Sequence, residues 1–218
     1  MSNVGFFLIG FVMAVPTILY PLLFPGKADR ALPLSQRYVV KANIWIAIFS
    51  YVGNFYYTHL FFEMANASYS FPTTWMLNHV PIFLYLITHA YFTFYHTVTN
   101  IVLRRFWSSA NPSSFVKGCI LVAILAWITA FMEAFTIQAV PYYSFADRSN
   151  AYIFGSMVYG VYFIVSFPMF LRLDERVSDS SWTISKTIID SLGASMLVLI
   201  LLDLLKIFLN NFWFIGSH

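Results

Sequence analysis

Glu133 is the first residue on which chemistry can be built. It falls inside a long apolar run, Gly118–Val140, where an ionisable side chain costs a few kcal/mol or more and marks a site. A carboxyl there, with no fixed positive partner, keeps its proton at neutral pH because desolvation disfavours the charged form. That makes it a proton donor held out of water. Thr129 and Thr136 share its helical face. A second concentration of polar groups lies along the run His79–Leu103 and just beyond it. Tyr85, His89, Thr93, His96, Asn100 and Arg104 follow one another at spacings of 4, 4, 3, 4 and 4 residues, which lays them along one face of a helix. Such a stripe cannot face lipid and must face a bundle interior or a wet cavity. Tyr85, Thr93 and Asn100 then serve either interhelical hydrogen bonding or ligand contact. His89 and His96 serve either the same bonding or proton transfer. Glu133 lies about 6 Å from the middle of its run, and His89 near the middle of its own. The two meet at similar depth if these antiparallel segments pack together.

Other polar groups carry less. Asp203 has Lys206 at i+3, a spacing that serves either an ion pair or support for a catalytic group. Asp190 falls in the expected first turn of its segment, where a carboxylate suits the helix dipole. Glu63, His79 and His59 fall near the ends of their runs, within reach of water. Tyr142, Tyr143, Asp147 and Arg148 follow Pro141 and read as an interfacial aromatic belt with an Asp–Arg pair, or as ligand contacts. There is no phosphate-cradling glycine loop, no G-x-S-x-G elbow and no H-E-x-x-H zinc motif. The single cysteine, Cys119, excludes an intramolecular disulfide and a Cys-rich metal site. A bis-histidine haem needs ligands on facing helices, and the only other helical histidine, His59, sits near the surface. A channel or transporter should show more polar pore residues or a repeated half.

The elements that must position these groups are membrane helices. The chain has 218 residues, 60% of them hydrophobic and only 10% charged, against about 25% in a soluble domain. A net charge of +3 argues against a nucleic-acid partner. Spanning a hydrocarbon core takes about 20 apolar residues. Stretches near Val4–Phe24, Ala42–Phe62, His79–Leu103, Gly118–Val140, Ala151–Leu171 and Thr187–Leu209 qualify. They predict an all-α bundle of about six transmembrane helices in a single domain, 1–218. The runs are continuous rather than alternating, which excludes a β-barrel. No Lys or Arg precedes the first run, and Pro16 and Pro21 lie within it, so it reads as a permanent, kinked helix rather than a cleaved signal. The first loop carries Lys27, Arg30, Arg37 and Lys41, the third Arg104, Arg105 and Lys117, and the fifth Arg172, Arg176 and Lys186. The second loop carries no Lys or Arg, and the fourth only Arg148. By the positive-inside rule the odd-numbered loops are cytoplasmic and both termini lumenal. Asn66-Ala67-Ser68 is a glycosylation sequon on the lumenal side, in a short loop that favours its being unused. Only Glu133, Asp190, Asp203 and Lys206 are charged residues inside the spans.

Taken together, several segments carry a family likeness. They are Gly26-Lys27-Ala28-Asp29-Arg30, Lys41 through Tyr51-Val52-Gly53-Asn54, Ala67-Ser68-Tyr69-Ser70-Phe71-Pro72, Thr88-His89 and Phe94-Tyr95-His96. Asn100, Leu103-Arg104-Arg105, Glu133, Pro141-Tyr142-Tyr143, Asp147-Arg148, the run from Tyr162 to Glu175, Asp190, Gly193-Ala194 and Asp203 complete the set. The chain resembles the cycloeucalenol cycloisomerase family, the cyclopropyl sterol isomerases of plants and protists, over nearly its whole length.

That resemblance implies an endoplasmic-reticulum enzyme of sterol biosynthesis that needs no cofactor. It opens the 9β,19-cyclopropane ring of a 4α-methyl sterol such as cycloeucalenol and forms the Δ8 sterol obtusifoliol. A proton goes to C19, positive charge develops at C9, and a proton leaves C8. The residues can meet those needs. Glu133 is a desolvated acid, His89 and His96 complete a proton relay, and Asp203 supports them. Both protons lie on the β face, so one group can serve both steps. Aromatic faces stabilise a cation without trapping it, and Trp127, Trp45, Tyr91 and Phe131 are candidates. Tyr85, Thr93, Asn100, Trp127, Tyr142 and Tyr143 are the expected substrate contacts. A Δ8–Δ7 sterol isomerase of the emopamil-binding type, and a sterol-binding membrane protein without activity, are the competing readings.

Overall fold

A computed structural model describes residues 1–65, 67–108, 115–145, 152, 155–174 and 181–213. Helices occupy every apolar run. They are α1 (Asn3–Leu23), α2 (Tyr38–Val52), α3 (Thr58–Ala65), α4 (Ile82–Ser108), α5 (Phe115–Gln138), α6 (Ser156–Leu171) and α7 (Ile184–Trp213). A π-helical turn, Gly53–Tyr57, joins α2 to α3, so the second run is one rod of two α-helices. Helix α1, the stretch Phe115–Ile137 of α5 and the stretch Ile184–Phe208 of α7 are long and apolar enough to cross a membrane. Helix α6 is apolar but shorter. Helix α4 has the length, but its polar stripe lowers its hydropathy. The outward faces are apolar: Val12 of α1, Phe135 of α5 and Ile189 of α7 are all more than half exposed. Such surface suits lipid and would be a liability in water. These features mark a membrane protein.

Two of the boundaries that differ from the sequence expectation change what a singled-out residue does. The third run does not turn helical at His79. Met76–Leu77 (β2) and Val80–Pro81 (β3) pair as a hairpin instead. Asn78 (φ 49°) and His79 (φ 60°) supply the two left-handed positions that a tight hairpin needs. The Asn78 amide donates to the Phe55 carbonyl at 2.6 Å, tying the hairpin to the π turn. Helix α7 starts at Ile184 rather than Thr187, because the Thr183 hydroxyl accepts the Lys186 N–H at 3.1 Å and caps the helix there. Asp190 therefore lies in the second turn. Its carboxylate accepts from the Trp45 indole at 2.9 Å and pairs with Arg172, joining three elements rather than starting one.

Packing follows the small residues. Helix α5 lies chiefly on α6, α1 on α4, and α2 on α7 and α4. Ala126, Ala130 and Ala134 recur every four residues on the buried face of α5, the small-residue seam that lets membrane helices approach closely. Gly10 does the same for α1, since a Cβ there would stand 2.8 Å from the Phe83 carbonyl oxygen of α4.

The two ends of the bundle close differently. At one end, Ala67–Tyr69 (β1) pairs antiparallel with Tyr143–Phe145 (β4), with Tyr69 opposite Tyr143. At the other, the loops carry charge that is consumed internally. Asp29 accepts the N–H groups of Tyr38 and Val39 at 2.9 and 3.0 Å, capping α2 from a distance. The fully buried Lys41 pairs with Asp174 and donates to Ser181. Arg104 donates to the Leu171 and Leu173 carbonyls at 3.2 and 3.0 Å, satisfying the end of α6.

Candidate active site

The α5–α6 seam decides what Glu133 meets. With alanines between the two helices, the Tyr159 hydroxyl of α6 reaches across and donates to Glu133 Oε1 at 2.7 Å. Tyr95 of α4 is the second phenol within range of the carboxyl. Glu133 is only 8% exposed, and its Oε2 has no hydrogen-bond partner among the described residues. With Oε1 accepting from the phenol, Oε2 is the oxygen available to carry a proton.

Glu133 lines a cavity of about 770 Å³, open mouth included. Each wall has a distinct source. Tyr159 and Tyr162 come from α6, Thr88 and Phe92 from α4, Gly53 and Asn54 from the π turn, and Tyr69, Tyr143 and Phe145 from the β1–β4 ribbon. The π turn carries one extra residue and so re-aims Asn54, a use to which such turns are often put. Asn54 donates to the Ser50 carbonyl at 3.0 Å and accepts from Thr88 at 3.4 Å. A column of phenols fixes the far wall. Tyr159 meets Tyr162 at 4.5 Å and Tyr162 meets Tyr57 at 4.8 Å between ring centroids. Their hydroxyls are anchored on backbone, Tyr162 on the Tyr57 carbonyl at 3.1 Å and Tyr57 on the Ser195 carbonyl at 2.8 Å. One carboxyl in an aromatic, largely apolar chamber can, when it carries a proton, give it to a weakly basic hydrocarbon and face the resulting cation with rings rather than nucleophiles.

Of the residues singled out by sequence, Glu133 and Tyr143 line this cavity. The others are distributed elsewhere. His89 does not meet Glu133, because α5 turns its buried face to α6; the His89 Nε2 lies 3.3 Å from Asn43 Oδ1 of α2. His96 is enclosed by Trp45, Phe49, Phe92, Phe163, Phe167 and Phe170. Its Nδ1 donates to the Phe92 carbonyl at 2.8 Å, which leaves Nε2 to accept from Ser166 at 2.9 Å. Nε2 thus ties α4 to α6, and Nδ1 is committed to a carbonyl of its own helix. No hydrogen bond joins either histidine to Glu133 among the described residues.

Asp203 is exposed on α7, and its expected pairing with Lys206 does not form. Lys206 instead reaches Glu63 of α3 at 2.8 Å, the closer carboxylate across the helix contact. Trp127 is 48% exposed on the outer face of α5, stacked on Phe131 at 5.4 Å. Tyr85 donates to the Leu77 carbonyl at 3.0 Å. Tyr142 packs against Phe6 and Phe71 behind the cavity. Thr93 and Asn100 line a different cavity, between α1, α2 and α4. Asp147, Arg148 and Asn66 lie outside the described residues.

Tyr159 is the partner of Glu133 that the sequence did not single out. The signal was present in the alanine repeat of α5, which marks the face next to Glu133 as a close helix contact. The loop joining α5 to α6 also makes those two helices natural neighbours.

Comparison with known proteins gives one extended match. Over 213 residues, 96% of this chain and 75% of the relative, the sequence is 47% identical to an Arabidopsis thaliana protein named cycloeucalenol cycloisomerase. No family model and no solved structure matches.

Proposed function

The chain belongs to the cycloeucalenol cycloisomerase family and is an isomerase, and from that premise we propose that it opens the 9β,19-cyclopropane ring of a 4α-methyl sterol such as cycloeucalenol to give the Δ8 sterol obtusifoliol. The observation that carries the mechanism is the buried Glu133 carboxyl at the cavity wall, with one oxygen held by Tyr159 and the other unpartnered among the described residues.

Glu133 Oε2 gives its proton to C19. The C9–C19 bond supplies the electron pair for the new C–H bond, and C9 becomes cationic. The Glu133 carboxylate so formed takes the proton from C8, and the C8–H pair becomes the C8–C9 double bond. Proton and charge balance within one turnover, so no cofactor is consumed and the acid is restored. The Tyr159 hydroxyl stabilises the transient carboxylate, and the rings of Phe92 and Tyr162 flank the cation. Removing water from the chamber strengthens these interactions. The histidines keep α4 in register with its neighbours and take no part in the proton path.

In this reading all six helical passes cross the endoplasmic-reticulum membrane as a single domain. The basic odd-numbered loops are cytoplasmic and the β1–β4 ribbon lumenal.

The test is sterol profiling by mass spectrometry after purified protein in lipid vesicles is given cycloeucalenol. Glu133→Gln keeps the size and hydrogen-bonding capacity of the side chain but carries no acidic proton. It should lose at least about 10²-fold in rate, the usual contribution of a positioned acid. Full activity in that variant would overturn the assignment. Turnover of a zymosterol-type Δ8 sterol in place of cycloeucalenol would overturn the substrate.

A further inference from the structure

The cavity between α1, α2 and α4 has no role in the reaction just described. It encloses about 1460 Å³, mouth included, and is walled by Thr17 and Pro21 of α1, Tyr38 and Ala42 of α2, and Thr97 and Asn100 of α4. It stands at the end of the bundle opposite the β1–β4 ribbon, beside the charged loops. Helix α1 leans on α4 and touches α2 only lightly. The wedge between α1 and α2 therefore opens this space sideways.

Its chemistry selects a class of ligand. The charges at its wall are already spent. Asp29 caps α2, Asp174 pairs with Lys41, and Arg104 binds Asn100 and the end of α6. Lys41 and Arg104 balance Asp29 and Asp174, so the charged groups at the wall itself offer no surplus positive charge to a phosphate headgroup, and the basic residues Lys27, Arg30 and Arg37 belong to the adjoining loop. What remains is neutral. The Tyr38 hydroxyl accepts from the Asn100 amide at 2.8 Å, and its own proton has no acceptor among the described residues. Pro21, with no N–H, cannot bond the Thr17 carbonyl one turn earlier. A phenol proton left without an acceptor, on the α2 side of a cavity whose α1 side carries that proline, is a donor that a ligand's oxygen can take.

We infer that this cavity is a second binding site, separate from the Glu133 chamber, for a neutral hydroxyl-bearing amphiphile of sterol size, held at its oxygen by Tyr38. The site is independent of whether ring opening occurs at Glu133, because its test reads binding rather than turnover.

The experiment uses the full chain in phosphatidylcholine vesicles containing a diazirine-bearing cholesterol analogue. Photolysis is followed by peptide mass spectrometry. Label is expected on the α1, α2 and α4 segments that wall this cavity. An excess of unlabelled cholesterol should compete it away, whereas cholestane, which lacks the oxygen, should not. Tyr38→Phe should reduce labelling there about five-fold, in line with one lost hydrogen bond. Ala42→Leu, which fills the space without touching a polar group, should reduce it at least as much. Label confined to the Glu133 cavity or spread evenly over lipid-facing residues would overturn the inference. So would equal competition by cholestane, or displacement by phosphatidylserine.

Discussion

The Tyr159 hydroxyl holds one oxygen of the Glu133 carboxyl at 2.7 Å and leaves the other, at the cavity, without a partner among the described residues. A rotatable acid thereby becomes an aimed one. Orientation of this kind is worth little in the ground state and more as negative charge develops on the carboxyl. Tyr159→Phe keeps the ring against Tyr162 and Phe163 and removes only the donor. The expected result is a fall in kcat of about ten-fold, from about 1.4 kcal/mol of lost stabilisation, with KM nearly unchanged. Initial rates at varied sterol content would check it. An unchanged kcat would show that the phenol is only packing.

His96→Ala separates a structural histidine from a proton carrier. The substitution empties a site that is 1% exposed and strips a partner from Ser166. A loss of about 2–4 kcal/mol is expected from the cavity and the orphaned hydroxyl. It should be read as a lower unfolding temperature in detergent. The protein that remains folded should turn over at close to the wild-type rate.

Gly10 tests the α1–α4 contact. Gly10→Val places a branched side chain where even a Cβ would sit 2.8 Å from the Phe83 carbonyl oxygen. Overpacking of this kind costs about 1–3 kcal/mol. Gly160→Ala, where a Cβ would meet nothing within 4 Å, is the control and should unfold at or slightly above the wild-type temperature.

Asp203→Asn should leave turnover unchanged, since the side chain is exposed and away from the Glu133 cavity. Lys206→Ala removes a pair in which Glu63 is 61% exposed. Such pairs contribute about 1 kcal/mol or less. Rates and melting curves measured side by side would show both variants close to wild type.

The helices were legible because continuous apolar runs leave the backbone no other way to satisfy itself in lipid. What each helix faces was less legible, and α4 shows why. Steps of 4, 4, 3, 4 and 4 residues advance the chain by nineteen residues, and at 3.6 residues per turn that stripe drifts by about 100° around the axis. Its residues therefore meet different neighbours. Tyr85 meets the β2–β3 hairpin, His89 meets α2, and His96 and Arg104 meet α6 and its end. Sequence spacing placed them on one stripe but could not show that the stripe passes across several partners. The identity of Glu133 as the buried acid needed only its own helix. Its pairing with Tyr159 needed the α5–α6 contact, a tertiary fact announced only by the alanine seam. Asp203 misled for the opposite reason: a local i+3 spacing allowed a pair with Lys206 that the approach of α3 replaced.

The β1–β4 ribbon has a kinetic consequence. Tyr69 and Tyr143 face each other across it, and with Phe145 they cover the end of the Glu133 cavity. On the proposed function the substrate is a sterol dissolved in the bilayer, and entry through the flank of the bundle is the route expected of it. The enzyme samples a two-dimensional solution. Its effective substrate concentration is the mole fraction of sterol among the surrounding lipids, and diluting the membrane with inert phospholipid at constant bulk sterol should slow it as a competitive inhibitor would.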